Sequence, residues 1–153
     1  MSDERFSEMP ELTLRPIGAV RDGEQDIARV DWSRVESRIE LDPSLSDALL
    51  GLADYSHVIV VGWLDRYPPE YRMRLTAYPS GDGRLPLQGS LALRGARPNP
   101  VSVTVCELRG IEGAVLTVRG LDLVDGTPVL DVKPYIAAYD AVPKAVLPRW
   151  ARG

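Results

Sequence analysis

The sequence predicts a mostly β protein that folds as a single compact, barrel-like domain with one short helix. Three observations lead to this prediction. Many short segments alternate apolar and polar residues, as β-strands with one buried face do. Turn signals rich in glycine, proline and aspartate separate these segments at near-regular spacing. The chain has 153 residues, of which 44% are hydrophobic, and this suits one domain with one core.

The N-terminal part of the chain predicts a tail followed by two strands. Residues 1–11 are polar, which predicts a flexible tail. Residues 12–20 predict a first strand, which Pro16 places at a sheet edge because proline has no N–H for an inner ladder. Residues 33–41 place apolar or small residues at every second position, so they predict a second strand with one buried face.

The predicted helix and a central strand come next. Residues 44–52 predict a short helix, with Asp42 or Ser44 at its N-cap and Gly51 at its end. Residues 55–64 form an almost continuous apolar run rich in valine. Such a run is typical of a strand that is buried on both faces.

The remaining predicted strands follow at short intervals. Residues 71–79 alternate again, and the glycine-rich turn at residues 80–83 ends this segment. Three more strands are predicted at residues 101–108, 112–121 and 127–135. The sequence thus predicts one β-barrel domain over residues 12–140, followed by a C-terminal tail over residues 141–153 that is a candidate dimer contact.

Composition and charge argue against several classes of protein. The net charge is −4 and the sequence pI is about 5.0, so the chain as a whole lacks the basic excess of most nucleic-acid-binding proteins. No apolar run approaches the roughly 20 residues that span a bilayer, and the first residues contain no apolar signal segment. Cys106 is the only cysteine, which predicts a reducing, cytoplasmic location. Because there is also only one histidine, no metal site is expected.

Six arginines in the middle of the chain leave two interpretations open. They form one basic patch if the turns between them fold back, or they are scattered, solvated charges. The six are Arg66, Arg72, Arg74, Arg84, Arg94 and Arg97.

Two segments carry unusual chemistry. In residues 94–100, two prolines flank Asn99 and fix the backbone, while Arg94 and Arg97 offer planar donors to a carboxylate or a phosphate. A rigid structural turn is the other interpretation of this segment. Residues 120–135 place three aspartates around a tight turn, where the carboxylates either accept hydrogen bonds from a ligand or only cap the turn.

Four motifs give a resemblance to a known family. The chain has Pro-Ile-Gly-Ala-Val-Arg at residues 16–21 and Gly-Leu-Ala-Asp-Tyr-Ser-His at residues 51–57. It has Arg-Pro-Asn-Pro at residues 97–100 and Leu-Asp-Leu-Val-Asp-Gly-Thr-Pro-Val-Leu-Asp-Val-Lys-Pro-Tyr at residues 121–135. In this order the motifs resemble those of the TrmO/TsaA-like methyltransferases, and the resemblance covers roughly residues 14–140.

The resemblance implies a β-barrel methyltransferase that uses S-adenosylmethionine and forms a homodimer. The activity it implies is N6-methylation of threonylcarbamoyladenosine, the nucleoside next to the anticodon of certain tRNAs. Two alternatives stay open. One is an S-adenosylmethionine-dependent methyltransferase that acts on a small molecule, which fits the acidic charge. The other is a non-catalytic cofactor-binding or scaffold protein.

The resemblance also implies the residues of the site. Apart from the resemblance, we hypothesise that Asp65 or Asn99 faces the methyl acceptor. Cofactor contacts are implied for Leu64, Asp65, Arg94, Val103, Arg119, Gly120, Leu121 and Asp122. The expected partners are tRNA or a small-molecule acceptor and a second copy of the chain, and no membrane is expected.

Overall fold

Six antiparallel strands close into a barrel in the computed structural model, which describes residues 4–27 and 30–152. Residues 1–3 of the predicted N-terminal tail and residue 153 of the predicted C-terminal tail lie outside the described residues. The strands are β1 (Gly18–Arg21), β2 (Glu36–Leu41), β3 (His57–Trp63), β4 (Thr76–Ala77), β5 (Gln88–Gly89), β6 (Val101–Glu112), β7 (Val115–Arg119) and β8 (Pro128–Pro134). The barrel order is β1-β2-β7-β6-β3-β8, with β8 pairing back to β1, and β4 and β5 form a separate two-stranded sheet.

The helices of the described chain are short. Two are α-helical, α1 (Glu4–Ser7) and α2 (Ala137–Asp140). The 3-10 helices are Trp32–Arg34, Pro43–Leu49, Leu52–Asp54, Pro69–Met73, Pro79–Gly81, Ser90–Ala92 and Arg149–Ala151. Within residues 4–27 and 30–152, no helix is long and apolar enough to cross a membrane. The predicted fold class, mostly β with a barrel, is confirmed.

Alternation along the strands fills the barrel with aliphatic side chains. In β2, Ser37, Ile39 and Leu41 point inward and are buried, while the residues between them are exposed. The core is therefore made largely of alternate residues of the barrel strands, as the period of two predicts, and the turn between β7 and β8 adds Leu121 and Leu123. Its members are Val20, Ile39, Leu41, Val58, Val60, Cys106, Leu116, Val118, Leu121, Leu123 and Val129.

The predicted helix at residues 44–52 forms as the 3-10 helix Pro43–Leu49. Asp42 caps it, because its carboxylate accepts hydrogen bonds from the backbone N–H of Ser44 at 2.9 Å and from the Ser44 hydroxyl at 2.7 Å. The hydrogen bond from the Ser44 hydroxyl is the main reason that the pKa of Asp42 lies below its usual value. Gly51 follows at φ +85°, a conformation that suits glycine and ends the segment.

Several predicted strands are shorter than the sequence pattern suggested, including residues 112–121, of which only Val115–Arg119 form β7. The first begins only at Gly18, after Pro16, and the second begins at Glu36, because Asp31 caps a 3-10 turn just before it. The segment at residues 71–79 was the largest error. Two prolines start the 3-10 helix Pro69–Met73, and only Thr76–Ala77 is extended. Proline at a helix start has its φ already set for a helix, and this local preference overrides the alternation.

Strand β6 is the longest strand and changes partners along its length. Val101 to Glu107 pair with β3, whereas Glu107 to Glu112 pair with β7. The register with β7 shifts between Leu108 and Gly110, as it does at a β-bulge. This change of partner lets one strand join both halves of the barrel wall.

We expect Cys106, on the inner face of β6, to resist alkylation by iodoacetamide at pH 8 in the folded protein. Burial, and then the negative charge of Asp122, raise the pKa of its thiol to about 12, so the reactive thiolate is almost absent at that pH. Mass spectrometry of timed samples measures the labelling rate, with protein unfolded in guanidinium as the control. Equal labelling rates for folded and unfolded protein would contradict the buried position.

Candidate active site

A cavity of about 340 Å³ opens at the rim of the barrel, beside the end of β3. We call it the rim cavity. One wall is the turn that leaves β3, and the other is the turn that enters β8. Its lining residues are Gln25, Ile27, Leu64, Asp65, Arg66, Tyr67, Asp122, Leu123, Val124 and Thr127.

The first wall is fixed to the barrel by backbone contacts. The N–H of Leu64 donates to the carbonyl of Pro100 at 2.8 Å, which ties the start of the turn to the start of β6. Just before it, Gly62 is buried at a bulge between β3 and β8. A Cβ at Gly62 would lie 2.7 Å from a methyl carbon of Leu123, so glycine lets the two walls approach closely.

The second wall begins at Gly120, whose φ of +88° turns the chain from β7 toward the cavity. Two residues later, Asp122 accepts a hydrogen bond from the Thr104 hydroxyl through Oδ1. This bond fixes the carboxylate on one side and leaves Oδ2 available for another donor.

One hydrogen bond joins the two walls of the rim cavity, and a second one closes the turn of the second wall. The Arg66 guanidinium donates to the carbonyl of Asp125 at 3.0 Å, which links the turn after β3 to the turn before β8. Thr127 is buried and its hydroxyl donates to the carbonyl of Val124 at 2.7 Å. The rim cavity is therefore held by contacts between segments that are far apart in the sequence.

The lining combines an apolar surface with two carboxylates. Ile27, Leu64, Leu123 and Val124 provide aliphatic walls for a flat or extended apolar group. The carboxylates of Asp65 and Asp122 attract cations and accept hydrogen bonds from hydroxyl and amino groups. No described group of three or more His, Cys, Asp or Glu side chains could hold a metal ion.

A second opening, of about 450 Å³, lies next to the rim cavity. We call it the aromatic cleft. Tyr67 lines both openings and is therefore their shared wall. The cleft is lined by Tyr67, Tyr71, Arg74, Ala77, Tyr78, Pro79, Ser80, Leu93, Arg94, Gly95, Ala96 and Trp150.

The sequence of this chain matches the model of one known protein family. The family model for the tRNA-methyltransferase O N-terminal domain matches residues 27–141. The chain belongs to the TrmO family. The predicted family is thus confirmed, and the barrel seen here is a TrmO-type domain.

Solved structures and curated relatives agree with this TrmO assignment. A crystal structure of TrmO from Pseudomonas aeruginosa superposes with a TM-score of 0.76 at 29% identity, covering 94% of this chain and 63% of that one. A probable S-adenosyl-L-methionine-binding protein of Archaeoglobus fulgidus is 37% identical over 139 residues, which is 88% of this chain and 37% of the relative. The mouse tRNA (adenine(37)-N6)-methyltransferase is 35% identical over 102 residues, 61% of this chain and 22% of the mouse protein. The chain therefore spans well under two thirds of several of these relatives.

Of the residues implied by the TrmO resemblance, the structure gathers three in the rim cavity: Leu64, Asp65 and Asp122. Gly120 and Leu121 lie in the adjoining turn, and the side chain of Leu121 is buried in the core, which leaves its backbone as the part nearest to a ligand. Their cofactor contacts stay a prediction.

The other implied residues of this TrmO domain lie apart from the rim cavity. Arg94 lines the aromatic cleft. Val103 points outward from β6 and is 57% exposed. Arg119, at the end of β7, lies 3.8 Å from the Glu107 carboxylate on the outer surface. Their roles as cofactor contacts also stay predictions.

Asn99 lies in a different opening, beside Trp63. The Arg72 guanidinium donates to the amide oxygen of Asn99 at 2.9 Å and also to the carbonyl of Pro98. Arg72 itself lies over the Trp63 ring, 5.6 Å from its centre. The rigid turn predicted around Asn99 is therefore held by an arginine from the preceding segment, and its role toward the acceptor stays a prediction.

Sequence reasoning missed seven of the ten lining residues, namely Gln25, Ile27, Arg66, Tyr67, Leu123, Val124 and Thr127. Gln25 and Ile27 belong to an irregular loop between β1 and β2 that shows no pattern. Thr127 is part of the long motif at residues 121–135, and that motif was the available signal. Tyr67 lies directly before two prolines, which marked a turn but not a cavity wall.

Proposed function

We propose that this chain is an S-adenosylmethionine-dependent methyltransferase that methylates N6 of threonylcarbamoyladenosine next to the anticodon of tRNA. The observation that carries the proposal is the meeting of Leu64, Asp65 and Asp122 in one cavity of a TrmO-family barrel. The names of the relatives support it, since one is a probable S-adenosyl-L-methionine-binding protein and another a tRNA (adenine(37)-N6)-methyltransferase.

The rim cavity fits the proposed cofactor by size and by chemistry. A volume of about 340 Å³ is within the usual range of small-molecule sites. The aliphatic walls suit the adenine ring, and the carboxylates of Asp65 and Asp122 suit the ribose hydroxyls, the amino group and the positive sulfonium. Leu64 and Val124 would cover the ring, and Asp122 would hold the polar edge.

The chain supplies positioning and a proton acceptor. S-adenosylmethionine, when bound, supplies a methyl group carried on a positively charged sulfur. Asp65 is exposed at the edge of the cavity, so its carboxylate oxygen can accept the proton that the acceptor nitrogen loses. Tyr67 and the apolar walls border the cavity on the side of the aromatic cleft, and the hydrogen-bonded turns would hold cofactor and acceptor in a fixed relation.

A methyl-transfer assay tests the proposal. The protein is incubated with S-adenosylmethionine and with tRNA that carries threonylcarbamoyladenosine, and the digested nucleosides are analysed by mass spectrometry. We expect one added methyl on that nucleoside and none on tRNA that lacks the threonylcarbamoyl group. Cofactor binding without tRNA methylation would favour the small-molecule methyltransferase, for which the net charge of −4 argues. The absence of cofactor binding would favour the non-catalytic alternative.

We also infer a homodimer. Val103 and Val105 leave an apolar strip exposed on the outside of β6, and Val142 and Val146 are exposed in the C-terminal segment. Apolar strips of this kind are typical of interaction surfaces, and a closed symmetric dimer would cover them on both copies. Light scattering that gives twice the chain mass would support the inference, and a monomer mass would contradict it.

A cytoplasmic location stays part of the proposal. Its support is the buried, unpaired Cys106 thiol, which suits a reducing compartment. Fractionation of cells that express the tagged protein tests it.

A further inference from the structure

We propose that the aromatic cleft binds an unpaired nucleotide of the RNA acceptor, with its base stacked on the tyrosine rings and its phosphate held by Arg74. This inference rests on the proposed function, because it names the part of the acceptor that the surface beside the rim cavity recognises. It is carried by the rings, the charge and the position of the cleft.

The rings of the cleft form a stacking surface. The centroids of Tyr67 and Tyr71 are 6.0 Å apart and their planes are inclined by 33°. The Arg74 guanidinium lies over the Tyr71 ring, 3.7 Å from its centre, and this cation–π contact places a positive charge at the stacking surface. Tyr67 and Tyr78 are 38% and 46% exposed, which leaves ring surface available. Proteins that bind single-stranded RNA stack bases on aromatic rings and on arginine planes of this kind.

The charge of the cleft is opposite to that of the whole chain. The net charge of the protein is −4, yet the lining of the cleft contains two arginines and no aspartate or glutamate. Within the described part of the chain, Arg74 and Arg94 form no salt bridge with a carboxylate. Of the other central arginines, Arg84 is paired with Asp82, whereas Arg97 donates to backbone carbonyls. Arg74 therefore keeps its donors available for a phosphate, whereas Arg94 keeps its donors for the predicted cofactor contact.

The aromatic cleft lies beside the rim cavity, where the proposed methyl transfer takes place. Tyr67 is the shared wall of the two openings, so a nucleotide in the cleft lies directly beside a nucleotide at the rim cavity. Gly95 keeps Tyr67 in this place, because a Cβ there would lie 3.2 Å from the Tyr67 hydroxyl. The bound nucleotide would thus be a neighbour of the methylated one in the same unpaired loop.

Binding of an anticodon stem-loop RNA, labelled with a fluorophore, tests the inference. We choose Tyr78→Ala and Arg74→Ala because both residues line the cleft and neither lines the rim cavity. Each variant should weaken RNA binding about tenfold in fluorescence anisotropy, as expected when one stacking or phosphate contact is lost. Tyr78→Phe keeps the ring and should bind RNA as the unchanged protein does.

Matched controls come from the same chain. Tyr139, in α2, is 82% exposed and lies outside the lining of either opening, and Arg34 pairs with Asp31 on the surface. Tyr139→Ala and Arg34→Ala should leave RNA affinity unchanged. Calorimetry with S-adenosylmethionine on each variant shows that the fold and the rim cavity are intact, because cofactor affinity should not change.

The outcomes separate this inference from the proposed function. RNA affinity that is equal in the cleft variants and the controls would overturn the cleft inference, and so would an unchanged protein that binds no RNA. RNA binding that depends on Tyr78 and Arg74, without S-adenosylmethionine binding or methyl transfer, would overturn the proposed function and keep the cleft as an RNA site.

Discussion

Replacing Asp122 by asparagine is expected to weaken S-adenosylmethionine binding by roughly tenfold to a hundredfold. The Thr104 hydroxyl already occupies Oδ1, so a ligand meets Oδ2. Asparagine keeps an acceptor for Thr104 and presents an NH₂ donor to the ligand instead of a negative oxygen. The charged hydrogen bond to a hydroxyl or amino group is then lost. Isothermal titration calorimetry measures the change.

The Asp122→Asn variant should stay folded, because the side chain is exposed and the substitution keeps its shape. Asp47→Asn is the matched control, since Asp47 is an exposed acid in the helix Pro43–Leu49 and lies outside the rim cavity. The two variants should melt at similar temperatures. An Asp122→Asn protein that binds the cofactor as tightly as the control would exclude Asp122 from the cofactor site.

Gly18→Ala is expected to destabilise the barrel by about 3 kcal/mol or more. A Cβ at this position would lie 2.3 Å from the carbonyl oxygen of Glu40 and 2.8 Å from the Cα of Leu41. Both atoms belong to the backbone of β2 and cannot rotate away. Strand β1 would have to move off β2, where Gly18 pairs with Leu41. A loss of this size is a large part of the total stability of a small domain, which is about 5–15 kcal/mol.

Urea unfolding followed by circular dichroism measures the effect of Gly18→Ala. Gly83→Ala is the control, because nothing lies within 4 Å of a Cβ there and its φ is not in the left-handed range. The control should change the free energy of unfolding by no more than about 0.5–1 kcal/mol, in either direction. If both variants unfold at the same urea concentration, the close contact between β1 and β2 is not as described.

The sequence predicted the strands correctly where burial on the inner face of the barrel determines which positions are apolar. Strand β7 was predicted because it packs every second residue into the core. Strand β3 was predicted from its continuous apolar run as buried on both faces, but only every second residue is buried, because its other face lies on the outside of the barrel. The segment between β3 and β6 was mispredicted, because there the chain leaves the barrel and alternation no longer reports a buried face. Local proline geometry decides its structure instead, as in the helix Pro69–Met73.

In the candidate site, too, residues next to barrel strands were predicted and residues in irregular segments were not. Leu64, Asp65 and Asp122 follow or precede barrel strands, so the motifs that mark these strands also led to the cavity. The position of Arg94 depends on how the segment between the strands folds back onto Tyr67. The place of Gln25 depends on a patternless loop that crosses the rim. Contacts between distant irregular segments leave no periodic trace in a sequence.

The hydrogen bond between Leu64 and Pro100 has a consequence for how this domain changes during evolution. It closes the base of the excursion that carries the aromatic cleft, so the chain leaves and re-enters the barrel at one point. A segment with adjoining ends can be lengthened, shortened or exchanged without altering the strand register below it. The part of this excursion beyond Tyr67 is therefore free to change without altering the barrel, whereas Asp65, Arg66 and Tyr67 are constrained by their place in the rim cavity.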